Sequence, residues 1–229
     1  VSLDPVDIPK WQLVTQKDLE PIISELGVPL TFAMSAAVNA PDNVGTPNIA
    51  EIGSNKTVTL TLALSKDPET LSIDQDIGSL AVTARTATKS SVTGNLTFTG
   101  TANNGFRNYT AAASVAFKRK RYWGGTAKAD GTSLTRAEIL AAEAAGRWEW
   151  VDGRSMGQKS FTLSNEYGWV AEPASLGVSP SFIFDGVAVV DAPAPDTFAN
   201  FENTSGGVAD YQVYRTGVRY TGTYGIAKP

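Results

Sequence analysis

The most basic stretch of the chain is Lys118-Arg119-Lys120-Arg121, and it runs directly into Tyr122-Trp123-Gly124-Gly125. Four cations in a row suit an acidic polysaccharide or a carboxylate-bearing neighbour, and the flat rings of Tyr122 and Trp123 suit the face of a sugar. These six residues, Lys118 to Trp123, are the candidate binding residues. Side chains alternate along a strand, so Lys118 and Lys120 are expected to face one way and Arg119 and Arg121 the other, dividing the charge between two surfaces. The plainer expectation for the run is a strand end kept in water and guarded against edge pairing by its charge. For Tyr122 and Trp123 it is a place in a core or a subunit interface. Trp148 and Trp150, two positions apart, share a face if the chain is extended there, and are expected to clamp a helix to a sheet.

The remaining inventory excludes more chemistry than it offers. The chain has no histidine and no cysteine. Ser-His-Asp and Cys-His nucleophiles, an imidazole base, thiolate metal sites and disulfides are therefore all excluded. Carboxylate pairs remain: Glu149 with Asp152, and Glu138 with Asp130, are available for the paired-acid chemistry of a glycosidase, which needs a separation of about 5–9.5 Å across a sugar. Nothing in the sequence sets either pair across a groove, and among 23 acidic residues such pairs arise by chance. Asp74-Gln75-Asp76 before Gly78 lacks the other ligand positions and the closing glutamate of a calcium loop, so an ordinary turn is expected. The reading is a non-enzymatic protein with no metal and no cofactor. With 19 basic against 23 acidic residues, a net charge of −4 and a pI near 4.9, no field favours a nucleic acid. No apolar run reaches the roughly 18 residues of a membrane-spanning helix, and the opening residues predict no targeting signal.

The elements that must hold these residues are mostly strands. Polar and apolar side chains alternate over residues 57–64, and again over 79–86, 95–99 and 158–163. That is the period of a strand with one wet and one buried face. Residues 109–121 read as one long strand or two joined ones, and further strands are expected near 182–184, 187–190, 211–214 and 221–226. Short strands separated by Gly, Asn, Asp and Pro predict antiparallel β-sandwich modules. Two helices interrupt them. Asp18 caps a short N-terminal helix with Leu19, Ile22, Ile23 and Leu26 at helical spacing and Gly27 as its stop. It is too short to persist alone, so its apolar stripe needs the body of the chain or an equivalent helix in an oligomer. Thr135-Arg136-Ala137-Glu138 has the form of a capping box, followed by an alanine-rich helix that ends at Gly146. The sequence divides as an N-terminal attachment segment (1–27), a β-sandwich module (28–125), a helix-containing connection (126–157) and a C-terminal β module (158–229).

In order along the chain stand Glu51-Ile52-Gly53, the strand at 57–64, Phe117-Lys118-Arg119-Lys120-Arg121-Tyr122-Trp123-Gly124 and the capped helix. They are followed by Phe161-Thr162-Leu163, Tyr167-Gly168-Trp169-Val170-Ala171-Glu172-Pro173, Ser175-Leu176-Gly177, the stretch 198–203 and Asp210-Tyr211-Gln212-Val213-Tyr214-Arg215-Thr216. As an ordered set, from about residue 50 to the end, these resemble bacteriophage fibre-type virion proteins. The resemblance implies a virion-located structural component of a tail fibre, baseplate or head fibre. It implies β-sandwich modules, contacts with other virion proteins and a homo-oligomer with a trimer favoured; attachment to a host surface polysaccharide, which the basic run would suit, stays open. It transfers no catalytic residue. Residues 1–49 lie outside it and suit attachment to the particle. The same β texture and aromatic residues also fit a carbohydrate-binding or adhesive module of a bacterial surface protein.

Overall fold

A computed structural model describes residues 29–41, 45–128, 133–177, 182–184, 187–189 and 196–228. The helix expected at 18–26, with Leu19, Ile22, Ile23 and Leu26, lies outside the described residues, as does Asp130. In chain order the strands are β1 (Phe32–Val38), β2 (Ile49–Glu51), β3 (Lys56–Leu64), β4 (Thr70–Ile73), β5 (Gly78–Leu80), β6 (Thr86–Val92), β7 (Leu96–Asn103), β8 (Asn108–Lys118) and β9 (Lys120–Thr126). After helix α1 (Arg136–Ala144) come β10 (Trp148–Trp150), β11 (Met156–Pro173), β12 (Phe182–Phe184), β13 (Val187–Val189), β14 (Asp196–Glu202), β15 (Val208–Arg215) and β16 (Tyr220–Lys228). The protein is mostly β, with antiparallel sheets and one inserted capped helix.

Two compact units form: Val1–Asn48 with Lys56–Val115, and Ile49–Asn55 with Ala116–Pro229. This partition differs from the one read off the sequence. β9 joins the second unit because it hydrogen-bonds to β10 and β11, and the helix-containing connection belongs to the core of that unit.

In the first unit β1, β3 and β6 form one antiparallel sheet, and β8, β7, β4 and β5 lie in another. The alternation of β3 is realised as expected: Val58, Leu60 and Leu62 are buried while Thr59 and Thr61 are exposed. Leu60 stands between Ala36 and Ala87 on the neighbouring strands, which leaves room for its side chain. Buried Phe98 and Ala102 of β7, with Leu71 and Ile73 of β4, supply the apolar face of the other sheet. The two sheets pack face to face: Met34 and Phe32 of β1 fill the space above Gly100 of β7 so closely that a Cβ there would collide with both. Each fully buried Leu, Val or Phe side chain contributes about 1.5–3 kcal/mol. Asp74-Gln75-Asp76 is a tight turn between β4 and β5. Gln75 and Asp76 both have positive φ, the Asp74 carboxylate accepts from Thr99 N–H, and Ile77 N–H closes the turn on the Asp74 carbonyl.

In the second unit β11 is the spine. Its first half pairs with β16, and its second half pairs with β9 on one side and β15 on the other. Neighbouring residues of the second half serve opposite faces. Trp169 and Ala171 join Tyr122, Phe201, Tyr211, Val213 and the helix residues Ile139 and Ala142 in one core. Val170 joins Trp123, Met156, Phe161, Leu163, Tyr214 and Ile226 in another. Both faces are buried, which explains why the sequence there is a continuous apolar run. One pairing departs from the antiparallel expectation: β2 runs parallel to Ala116–Lys118, with Glu51 opposite Lys118.

Helix α1 begins as its sequence predicts. Thr135 Oγ1 accepts from Glu138 N–H (3.3 Å) and Glu138 Oε2 accepts from Thr135 N–H (2.6 Å), completing the capping box. Gly146 takes a φ of 69°, and its N–H reaches the Glu143 carbonyl. Thr135→Ala is expected to lower stability by about 0.5–2 kcal/mol with the fold unchanged. Urea denaturation followed by circular dichroism measures it, and an unchanged midpoint would show that the box contributes nothing.

Candidate functional site

Charged side chains are buried in the second unit at the place where the sequence is most basic. β9 has a hydrogen-bonded neighbour on each side. Its charges therefore guard no free edge, and Lys120, Arg121, Tyr122 and Trp123 are all buried. The two residues before them are less enclosed: Lys118 pairs with Asp152, and Arg119, between β8 and β9, donates to the Val208 carbonyl. The expected split of charge into two solvated faces is replaced by two ion clusters, because opposite charges from distant segments fold over the strand.

The first cluster surrounds Lys120. Its ammonium lies 2.5 Å from Glu143 Oε1 and 3.4 Å from Glu51 Oε2, and 4.6 Å and 5.5 Å from the ring centroids of Trp148 and Trp150. Both rings thus present their faces to the cation. Trp148 and Trp150, two apart on β10, serve this ammonium in addition to packing. Glu51 is fully buried, and its remaining lone pairs accept from Tyr122, Thr204 and Ser205 hydroxyls. Segment 49–55 is fastened at a second point, where Asn203 Nδ2 donates to the Ile52 carbonyl and Asn203 Oδ1 accepts from Gly207 N–H. A Cβ on Gly207 would overlap the Ile52 carbonyl, and Gly53 sits at a φ of 100° against Gly207. Only glycine allows the two backbones to approach so closely.

The second cluster surrounds Glu172, also fully buried. One of its oxygens accepts from Arg121 Nε (2.8 Å) and the other from Lys228 Nζ (2.5 Å). Arg121 directs its other donors to Glu149 Oε1 and to the carbonyls of Gly153, Arg154 and Ser155. All five N–H bonds of the guanidinium are engaged. Glu149 also holds Lys159 at 2.8 Å.

This arrangement fixes what the acids can do. Glu149 and Asp152, proposed from sequence as a pair, each carry a cation, and Glu138 is held by Thr135 and Lys128. Among the described residues no group of three or more acidic side chains is placed to hold a metal ion. The residues that sequence reasoning missed are Glu51, Glu172, Glu143 and Lys228. Glu51 and Glu172 did leave a signal: each is a single carboxylate inside an otherwise apolar run, Ile49-Ala50-Glu51-Ile52 and Val170-Ala171-Glu172-Pro173. A buried charge in such a run requires a partner.

The tyrosines at the first cluster set an alkaline limit on stability. Burial first, and then Tyr211, Glu51 and Glu143, push the Tyr122 hydroxyl far above the ordinary range. Burial also pushes Tyr211 up, against an opposing pull from Arg119. Folded-state values above the unfolded one mean stability that is complete below about pH 10 and is lost as pH rises above it. Urea midpoints are expected to hold to about pH 10 and then fall, less steeply in Tyr122→Phe. Half-ionisation of Tyr122 and Tyr211 at about pH 10, as for a free phenol, without unfolding would contradict this.

No family model matches the chain, and no curated protein matches it. Among solved structures, one similarity is to the N-terminal eight Ig domains of Down Syndrome Cell Adhesion Molecule, isoform 1.30.30. Identity is 10% and the TM-score 0.23; the match covers 82% of this chain and 23% of that one, so the chain spans under a quarter of its length.

Proposed function

We propose that the chain is a non-enzymatic structural component of a bacteriophage particle, a fibre, baseplate or capsid-attached appendage that works by assembling with other virion proteins and with copies of itself, as a trimer. The observation that carries this reading is a coincidence of residues. Glu51, Lys120, Arg121 and Glu172, the groups that lock the second unit, all lie in the segments that resemble phage fibre-type proteins. The resemblance is thus to a framework and not to a reactive surface. Gold-labelled antibody raised against the chain is expected to decorate an appendage of intact particles, and the purified chain is expected to release no reducing ends from capsule or cell-wall glycans. Release that a single Asp or Glu substitution abolishes would overturn the non-enzymatic reading.

A second reading, an adhesive or carbohydrate-binding module, is favoured by the β7–β8 hairpin tip, where Phe106 is 59% exposed and Arg107 lies 4.7 Å from the Tyr109 ring. Glycan-array binding that Phe106→Ala removes would support it over the first.

A further inference from the structure

The turn between β7 and β8 contains the one Asn-Gly pair of the sequence, Asn104-Gly105, in a setting that polarises both reacting atoms. Asn103 stands opposite Asn108 at the end of the ladder, and their side-chain amides bond across it (2.6 Å). Asn104 N–H reaches the Arg107 carbonyl, and Gly105 turns the chain at a φ of 83°. Asn104 Oδ1 accepts two backbone bonds, from Phe106 N–H (3.1 Å) and Arg107 N–H (2.9 Å). Gly105 N–H donates to Asn103 Oδ1 at 2.6 Å. A Cβ at position 105 would meet only the movable carboxylate of exposed Glu69, so it is the φ of 83°, which side chains rarely tolerate, that favours glycine next to Asn104.

The geometry points to Asn104 as a self-modification site that loses its side-chain amide by cyclising onto the Gly105 nitrogen. Solvent hydroxide removes the Gly105 N–H proton, and the nitrogen attacks Asn104 Cγ. A C–N bond forms while the carbonyl electron pair moves onto Oδ1. Collapse breaks the Cγ–Nδ2 bond, and the amide nitrogen takes up a proton and leaves as ammonia. Water then opens the resulting succinimide at either carbonyl, leaving aspartate or isoaspartate at position 104. No oxidant or reductant is involved. Negative charge develops on Oδ1, where the Phe106 and Arg107 N–H groups already converge, the arrangement that stabilises an oxyanion. Gly105 brings no side chain of its own to the nucleophile, and Asn103 Oδ1 polarises its N–H bond, which swings free of that 2.6 Å contact before hydroxide takes the proton. Aspartate keeps the accepting oxygen and adds a charge close to Glu69. Isoaspartate adds a backbone methylene, breaks the Asn103–Asn108 register and displaces exposed Phe106 and Arg107. The tip would therefore change with the age of the protein, whatever its partner.

The full chain is incubated at mildly alkaline pH, folded and in urea, and peptide mapping follows aspartate and isoaspartate at every asparagine. Asn104 is expected to convert first, and roughly tenfold faster in the folded chain than in urea, less than an enzyme gains from one oxyanion donor. A folded-chain rate no faster than the urea rate would overturn the proposal. Phe106→Pro, which removes one of the two donors, is expected to bring the folded rate down toward the urea rate. An unchanged rate in a folded variant would also overturn it.

Discussion

Glu172→Ala is expected to destabilise the second unit by about 3–5 kcal/mol, a large share of what holds a domain together, because it strands two buried cations at once. Arg121 and Lys228 are almost wholly enclosed and each directs a donor to this carboxylate. Lys228→Met should cost less, since Glu172 keeps Arg121 and Arg121 keeps its four other bonds. A triple substitution to well-packed apolar residues, Glu172→Leu with Arg121→Met and Lys228→Met, should recover much of the loss, because a buried ion cluster compared with apolar packing is close to neutral. Urea midpoints on the four proteins separate these cases. A shift under about 1 kcal/mol for Glu172→Ala would mean that the carboxylate is not held between the two cations.

A larger effect is expected from removing a segment whose importance its length conceals. Residues 49–55 belong to the second unit, although 56–115 separate them from the rest of it. They supply the parallel strand beside Ala116–Lys118, the Glu51 carboxylate for Lys120, and the Ile52–Gly53 backbone that nests against Asn203 and Gly207. A protein comprising only 116–229 is expected to lose cooperative unfolding, since Lys120 would be left facing Glu143 alone and Thr204 and Ser205 would lose Glu51. Joining 49–55 to 116–229 by a flexible Gly/Ser linker in place of 56–115 should restore it. Calorimetry of the two proteins decides the matter: equal cooperativity in both would show that the segment is dispensable.

These cases also mark how far the sequence is legible. Local pattern sufficed where the cause is local: the Val58, Leu60, Leu62 alternation, the Thr135–Glu138 box and the Gly146 stop appear as read. β1 passed unnoticed because Ala33, Ala36 and Ala37 dilute its alternation, and β2 because Ile49-Ala50-Glu51 shows neither a period nor the wholly apolar run of β12 and β13; the strand expected over 79–86 is broken by a turn at 81–85, closed by Ala84 N–H on the Ala81 carbonyl. The parallel pairing of Ile49–Glu51 depends on Ala116–Lys118, a register no local window contains. For the same reason Lys120 and Arg121 read as solvated charge. Their partners stand at 51, 143, 149 and 172, and only the fold brings them together. Tyr122 and Trp123 fit the expectation of a core better than that of a sugar platform, since each lies in a buried apolar cluster.

Quantitative mass spectrometry of purified bacteriophage particles whose genome encodes this chain tests the proposed role as a structural component of a virion. The protein is expected in the particle at a fixed copy number that is a multiple of three, retained through density-gradient purification. Absence from particles that are otherwise complete and infectious, with the protein recovered only from infected cells, would contradict it.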